Sequence, residues 1–249
     1  KWRTNKDFKI WVNGYNRFYA NMIIHNDRIH ISFQCQEYLP QSTQDKLVIS
    51  AYCLGYLCSD DMGTTWKTSG GKIIEQLPAI PEDIDLIAGG EEAILTPDYQ
   101  AINLVIHNNV PVFCYAAKYD FYTDLFIARL IHGVWIKDKI NYQDEVAGKL
   151  GESECSFSID SNGNRQLLIP MVNEKDFNNK VYGGNSTILK CLLLNEMNEQ
   201  IVDSTLNDLK PSWLPNFGKA DRVQNAFLFT KGNTILQDGN CELYFGMIR

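Results

Sequence analysis

Carboxylate, phenol and guanidinium side chains recur at one kind of place in this sequence, a few residues upstream of an apolar hairpin. They are Arg17 and Tyr19, then Asp98, Tyr99 and Gln100, then Glu152 and Glu154, then Asp221, Arg222 and Gln224. Brought to one hollow, such a set offers a proton donor, a second carboxylate, phenols, and guanidinium groups that grip an anion bidentately. That is equipment for acid–base chemistry on a polar ligand. Taken singly, an acid ahead of a strand is an ordinary solvated loop residue, and Asp221 beside Arg222 an ordinary surface pair. Equivalence of position is what carries the expectation. Tyr115, Tyr119, Phe121 and Tyr122 could add an aromatic wall, or simply anchor a core and a loop. His25 and His107 occupy matching turns, and His30 alternates with Ile29 and Ile31 along a strand. With no H-x-H or H-E-x-x-H spacing, turn and core roles are expected for them, and no metal.

The elements that must position these groups are strands. Short stretches rich in Ile, Val, Phe, Tyr and Leu are punctuated by Asn, Asp and Gly, while amphipathic helical windows are nearly absent, so the fold class is all-β. Two apolar strands flanking a polar turn recur four times: 21–24 with 29–33, 102–106 with 110–115, 157–159 with 166–169, and 226–229 with 234–236. Further strands follow: 54–57 with Thr65-Trp66-Lys67, 125–130 with 134–136, 188–194 with 201–202, and 242–247 at the end. Four antiparallel strands per unit describe the blade of a β-propeller. The reading is a single propeller domain over residues 1–249, with four to five blades or as part of a larger ring. Its ring is closed by an N-terminal strand resembling those that carry Trp66 and Trp135. A β-sandwich is the competing architecture, but it offers no reason for the repeated four-strand order. The long connection 74–96, with Pro78, Pro81 and Glu82-Asp83, reads as a lid over the mouth or as a solvated rim loop.

Within the first unit, Ser59-Asp60-Asp61-Met62-Gly63-Thr64-Thr65-Trp66 matches S-x-D-x-G-x-T-W at every fixed position. It resembles the Asp-box, or BNR repeat, of sialidase-like β-propellers. Ser59 and Asp61 can bond to turn amides, Gly63 can supply a positive φ, Thr65 completes the motif and Trp66 can cover the adjoining sheet. In that family the motif stabilises a hairpin on the outer rim, away from the site. The stretch from Arg28 through Asp61 to Ile73 is similar to the BNR branch that holds polysaccharide lyases and glycosidases. The resemblance implies a carbohydrate-active propeller, with a glycoside hydrolase acting on an acidic glycan as the first expectation. Under it, Glu154 or Glu152 protonates the leaving oxygen, Asp98 or Asp221 is the second carboxylate, and Tyr19 or Tyr99 is nucleophile or stacking group. Arg17, Arg222, Gln100 and Gln224 bind the sugar. The lyase branch tends to carry an arginine after the second strand, where this chain has Gln34-Cys35-Gln36-Glu37, so hydrolysis is preferred over elimination. A non-catalytic glycan- or protein-binding propeller is the alternative.

Composition narrows the partners. The 249 residues carry 23 Lys+Arg against 30 Asp+Glu, a formal charge of −7, without the basic stripe that nucleic acid demands. No apolar run approaches the roughly 18 residues of a membrane helix, so neither partner is expected. Phosphate-loop, dinucleotide and nucleophile-elbow fingerprints are absent, and no cofactor is expected. The seven cysteines, an odd number inside apolar segments, read as buried thiols and lean cytoplasmic, whereas the resemblance leans secreted or periplasmic. A start at Lys1 rather than Met leaves room for an upstream segment.

Overall fold

A computed structural model describes residues 17–38, 49–75, 79, 83–89, 97–119, 122–141, 149–150, 155–172, 188–206, 212–217, 226–231 and 242–248. Among them the regular structure is all strand, with no α-helix. The chain divides into two compact units, Lys1–Lys139 and Ile140–Arg249.

The first unit holds two four-stranded antiparallel sheets. One is β1 (Arg17–His25), β2 (Arg28–Tyr38), β3 (Ile49–Ser59) and β4 (Asp85–Gly89), in that order. The other is β5 (Asp98–His107), β6 (Val110–Lys118), β7 (Thr123–Ile131) and β8 (Val134–Ile140). Their order follows from turn chemistry. The β1–β2, β5–β6 and β7–β8 connections each put two consecutive residues at positive φ: Asn26 and Asp27, Asn108 and Asn109, His132 and Gly133. This is the two-residue geometry whose twist matches a hairpin, and Asn, Asp and Gly adopt it most readily. Leu54, Tyr56 and Cys58 of the first sheet pack with Leu104, Phe113, Tyr115 and Ala128 of the second, so the sheets share one core.

The second sheet has the strands read from sequence; the first departs from that reading. Thr65-Trp66-Lys67 is not its fourth strand: Lys67 makes only single bridges, to Cys58 and Ile73. The fourth strand is β4, inside the connection read as a lid, and it pairs with Cys53–Tyr56. Burial explains the choice, since Ile87 and Ala88 are buried beside Leu54, whereas Lys67 and Ile73 continue into a short turn closed by Gly71 at φ 87°.

In the second unit, β10 (Ser156–Ile159), β11 (Arg165–Val172), β12 (Ile188–Leu194) and β13 (Gln200–Leu206) form a meander, with β9 (Lys149–Leu150) also pairing β11. A separate sheet runs β14 (Ser212–Phe217), β15 (Ala226–Lys231), β16 (Glu242–Met247). Here the expected hairpin of 226–229 with 234–236 is corrected. Both edges of β15 are taken, by β14 and β16, so it is the second strand of its sheet; residues 234–236 lie outside the described residues. Phe227 and Phe229 are buried against Leu168, Leu189 and Phe217, which fixes that face inward. The expected closing strand at the N-terminus also lies outside the described residues. The six described cysteines are buried, and none is in a disulfide.

Candidate functional site

Hydrogen bonds between turns give the first unit two distinguishable ends. His25 Nε2 stands 2.8 Å from Asn109 Oδ1, which also accepts from Asn26 Nδ2 at 3.0 Å, so the β1–β2 and β5–β6 turns meet. Asn21 Nδ2 donates to the Ile102 carbonyl at 3.4 Å, holding β1 beside β5. It follows that both strands start at the end away from those turns. Arg17 and Tyr19 lead β1 there, and Asp98, Tyr99 and Gln100 lead β5.

The turn end carries the Ser59–Trp66 loop, because Ser59 pairs with Ile29 next to the first turn. Ser59 Oγ donates to Asp61 Oδ1 at 2.8 Å and accepts from Gly63 N at 2.8 Å. Asp61 accepts from Thr65 N at 2.8 Å and from Thr65 Oγ1 at 2.7 Å. Those Thr65 bonds, with the one from Ser59, hold the Asp61 carboxyl down at about 2. Gly63 has φ 91°, and Trp66 packs with Leu57, Ile74 and Ile84. Beside the loop, Asp60 bridges Arg28 and Lys67.

At the other end, Asp98 Oδ1 accepts from the Ala51 amide at 2.6 Å, and Gln34 Oε1 accepts from the Ala101 amide at 2.7 Å; both tie β5 to the first sheet. Tyr99 is half-buried against the shared core, its ring 6.4 Å from that of Tyr115. Burial and the neighbouring Tyr119 push its phenol up, while a bond from the Gly89 backbone opposes this. Gln100 is half-buried on the same strand. Opposite Asp98 in the ladder is Lys118, and then the chain turns between Tyr119 and Tyr122, where Tyr119 N donates to the Tyr122 carbonyl at 2.8 Å. The two rings stack at 4.6 Å. Two residues further on is Asp124, buried, with Lys139 Nζ 2.8 Å from its Oδ1. That ion pair raises the Lys139 ammonium. Of the two roles open to Tyr115, wall or core, it has the core one: it is 3% exposed and stacks on Phe126 at 5.1 Å.

Asp98, Tyr99 and Gln100 are thus brought together with the starts of β1 at one end of one unit. Of Arg17 and Tyr19 only the backbone is described. Glu152 and Glu154, read as the proton donors, fall between β9 and β10 outside the described residues, as do Asp221, Arg222, Gln224 and Phe121. Asp124, Lys139 and Gln34 were missed by the sequence reading. The available signal was Asp124 leading an apolar strand and Lys137 and Lys139 alternating on the outermost one.

The histidines have the turn and core places expected of them. His107 Nε2 accepts from Asn108 Nδ2 at 3.1 Å. His30 is buried, sharing a hydrogen bond of 2.7 Å with the Tyr56 hydroxyl. Burial, helped by the charges of Arg28 and His25, lowers His30 to about 4, and burial raises the Tyr56 phenol far above its ordinary range. The Tyr56 ring meets Trp135 edge-on at 5.3 Å. Among the described residues no three His, Cys, Asp or Glu side chains gather as metal ligands.

No protein-family model matches the chain, and no curated protein does either. Among solved structures, a polysaccharide lyase of family 25, an ulvan lyase bound to -[GlcA(1-4)Rha3S]-, matches with a TM-score of 0.64 at 12% identity. The match covers 94% of this chain and 51% of that one. A second structure of a family 25 ulvan lyase gives the same values. A glycosyl hydrolase from Bacteroides ovatus matches at 10% identity over 92% of this chain and 84% of that one, but its TM-score of 0.28 is too low to argue from. The likeness to the ulvan lyase is therefore one of fold, and the chain spans about half that protein's length.

Proposed function

We propose that this chain is a carbohydrate-active β-propeller protein that works on an acidic glycan at the end where β1 and β5 start. The observation that carries this reading is the likeness in fold, over nearly the whole chain, to a lyase bound to a glucuronate-containing repeat. Two features support it. The S-x-D-x-G-x-T-W loop resembles that of sialidase-like propellers and stands at the opposite end from Asp98 and Tyr99. The start end gathers carboxylate, phenol and amide groups, as a sugar site requires. In the hydrolytic form of the reading, Glu154 or Glu152 is the general acid and Asp98 the second carboxylate, with Tyr19 or Tyr99 as nucleophile or stacking group. Arg17, Arg222, Gln100 and Gln224 hold the ligand. Elimination next to a uronate carboxylate is the second reading, favoured by the same fold likeness.

The test is incubation with uronate-containing, sulfated and sialylated glycans, followed by two assays: new reducing ends, and the ultraviolet absorbance of an unsaturated uronate. Reducing ends without that absorbance mean hydrolysis; both signals together mean elimination; binding without either means a lectin-like propeller. Neither product nor binding on any acidic glycan would end the proposal. Glu154→Gln is expected to abolish turnover with the fold intact, and full activity in that variant removes Glu154 from the mechanism.

A further inference from the structure

We infer that Tyr119, Tyr122 and Lys139 form an accessory subsite for one uronate ring of the glycan, built on the β6–β7 turn and the last strand of the second sheet. The inference rests on the carbohydrate reading above but uses none of the residues assigned to chemistry there. Tyr122 is 45% exposed and stacks on Tyr119 with ring centroids 4.6 Å apart, so the pair forms an aromatic surface open to solvent. Its entropy has been spent in folding, as a stacking platform requires. The adjacent cation is positioned as well. Asp124, with a side chain only 11% exposed, holds Lys139 Nζ at 2.8 Å, while the lysine side chain remains 56% exposed.

The ligand class follows from donor and acceptor inventory. An ammonium has three donors and no lone pair; Asp124 accepts one hydrogen bond, and the lysine side chain stays 56% exposed for a ligand to meet the others. Because Asp124 is buried while Lys139 is exposed, Lys139 meets the ligand as a donor, and the group that answers it best is an anionic acceptor. Asp124 follows Tyr122 by two residues on the chain, so the lysine that it holds stands near the stacked pair. A pyranose lying on Tyr122 with its carboxylate turned to Lys139 satisfies both features. On a chain of formal charge −7, Lys139 supplies a local charge-assisted donor for an anionic sugar.

The test is calorimetric titration of the full chain with a glucuronate-containing tetrasaccharide and with a neutral glucose tetrasaccharide. The acidic probe should bind more tightly. Tyr122→Ala and Lys139→Met should each weaken it roughly tenfold, about 1.4 kcal/mol. Tyr122→Phe, which keeps the ring, and Lys139→Arg, which keeps the charge, should bind nearly as the parent does. Unchanged binding in Tyr122→Ala and Lys139→Met, with the parent binding well, overturns the subsite and leaves the glycan reading standing. Equal binding of the two probes overturns the uronate assignment. No binding of either probe by the parent overturns subsite and glycan reading together. Should Tyr122→Ala lose its fold, judged by thermal midpoint, Lys139→Met and its arginine rescue decide the matter.

Discussion

His30 shows how a single buried base couples this fold to pH. Its imidazole titrates at about 4 in the folded chain against 6.5 when exposed, so between those values the unfolded chain binds the extra proton. Stability is then fully present above pH 6.5 and falls as pH drops toward 4, by on the order of 3 kcal/mol, levelling off below. Urea midpoints measured across that window should show the slope, and His30→Gln, which keeps a neutral hydrogen-bonding group beside Tyr56, should flatten it. Equal slopes in parent and variant would mean that another group is responsible. Asp61 works in a lower window. Its carboxyl is held at about 2 instead of 3.8, so its contribution is present above pH 3.8 and lost as pH falls through 2. Asp61→Ala frees the Thr65 amide and hydroxyl that it orders, and a lower thermal midpoint at neutral pH is expected.

At the scale of the element, one tight constraint is a missing side chain. A Cβ at Gly55 of β3 would come within 2.5 Å of Ile84 Cδ1 and 2.6 Å of the Phe33 ring, so both side chains would have to shift to admit it. Gly55→Ala should cost about 1–3 kcal/mol by overpacking, read from denaturant midpoints at unchanged m-value. A midpoint equal to the parent's would show that β2 and β4 are looser there than they look. Loops repeat as well as strands. Asp61 accepts from the amide four residues on, and so do Asp160, from Asn164, and Asn195, from Glu199, each at 2.8 or 2.9 Å. The second unit therefore uses the same side-chain-to-amide device without the serine, threonine and tryptophan that make it recognisable in sequence.

For the molecule as a whole, the proposed site would make the first unit separate stability from binding along its strands. Substitutions in the Ser59–Trp66 loop should shift the thermal midpoint and leave glycan affinity alone, while Tyr122→Ala and Lys139→Met should do the reverse; a loop variant that loses binding at constant fold would break this division. The second unit has a different liability. Opposite the buried Phe227 and Phe229, one face of its last sheet exposes Leu228, Leu243, Phe245 and Met247, at 45%, 71%, 62% and 56%. Exposed apolar surface of that kind promotes association, so Phe245→Lys should lower light scattering at high concentration without lowering the thermal midpoint. Unchanged scattering would point to another surface.

Alternation and turn chemistry are local properties, which is why the all-β class, the hairpins closed by Asn26-Asp27 and Asn108-Asn109 and the Ser59–Trp66 loop could be read from the chain alone. Strand choice at a distance was not local. Thr65–Lys67 patterned as a fourth strand and Asp85–Gly89 as part of a long connection, and only the buried contact of Ile87 and Ala88 beside Leu54 selected the second. The same holds for the site: Asp98 and Tyr99 were legible as upstream polar residues, but Asp124 and Lys139, 15 positions apart, became one positioned cation only when β7 and β8 folded back together. Sequence determines what each segment can do by itself, whereas a charge pair and a buried face require partners that only the folded chain brings within reach.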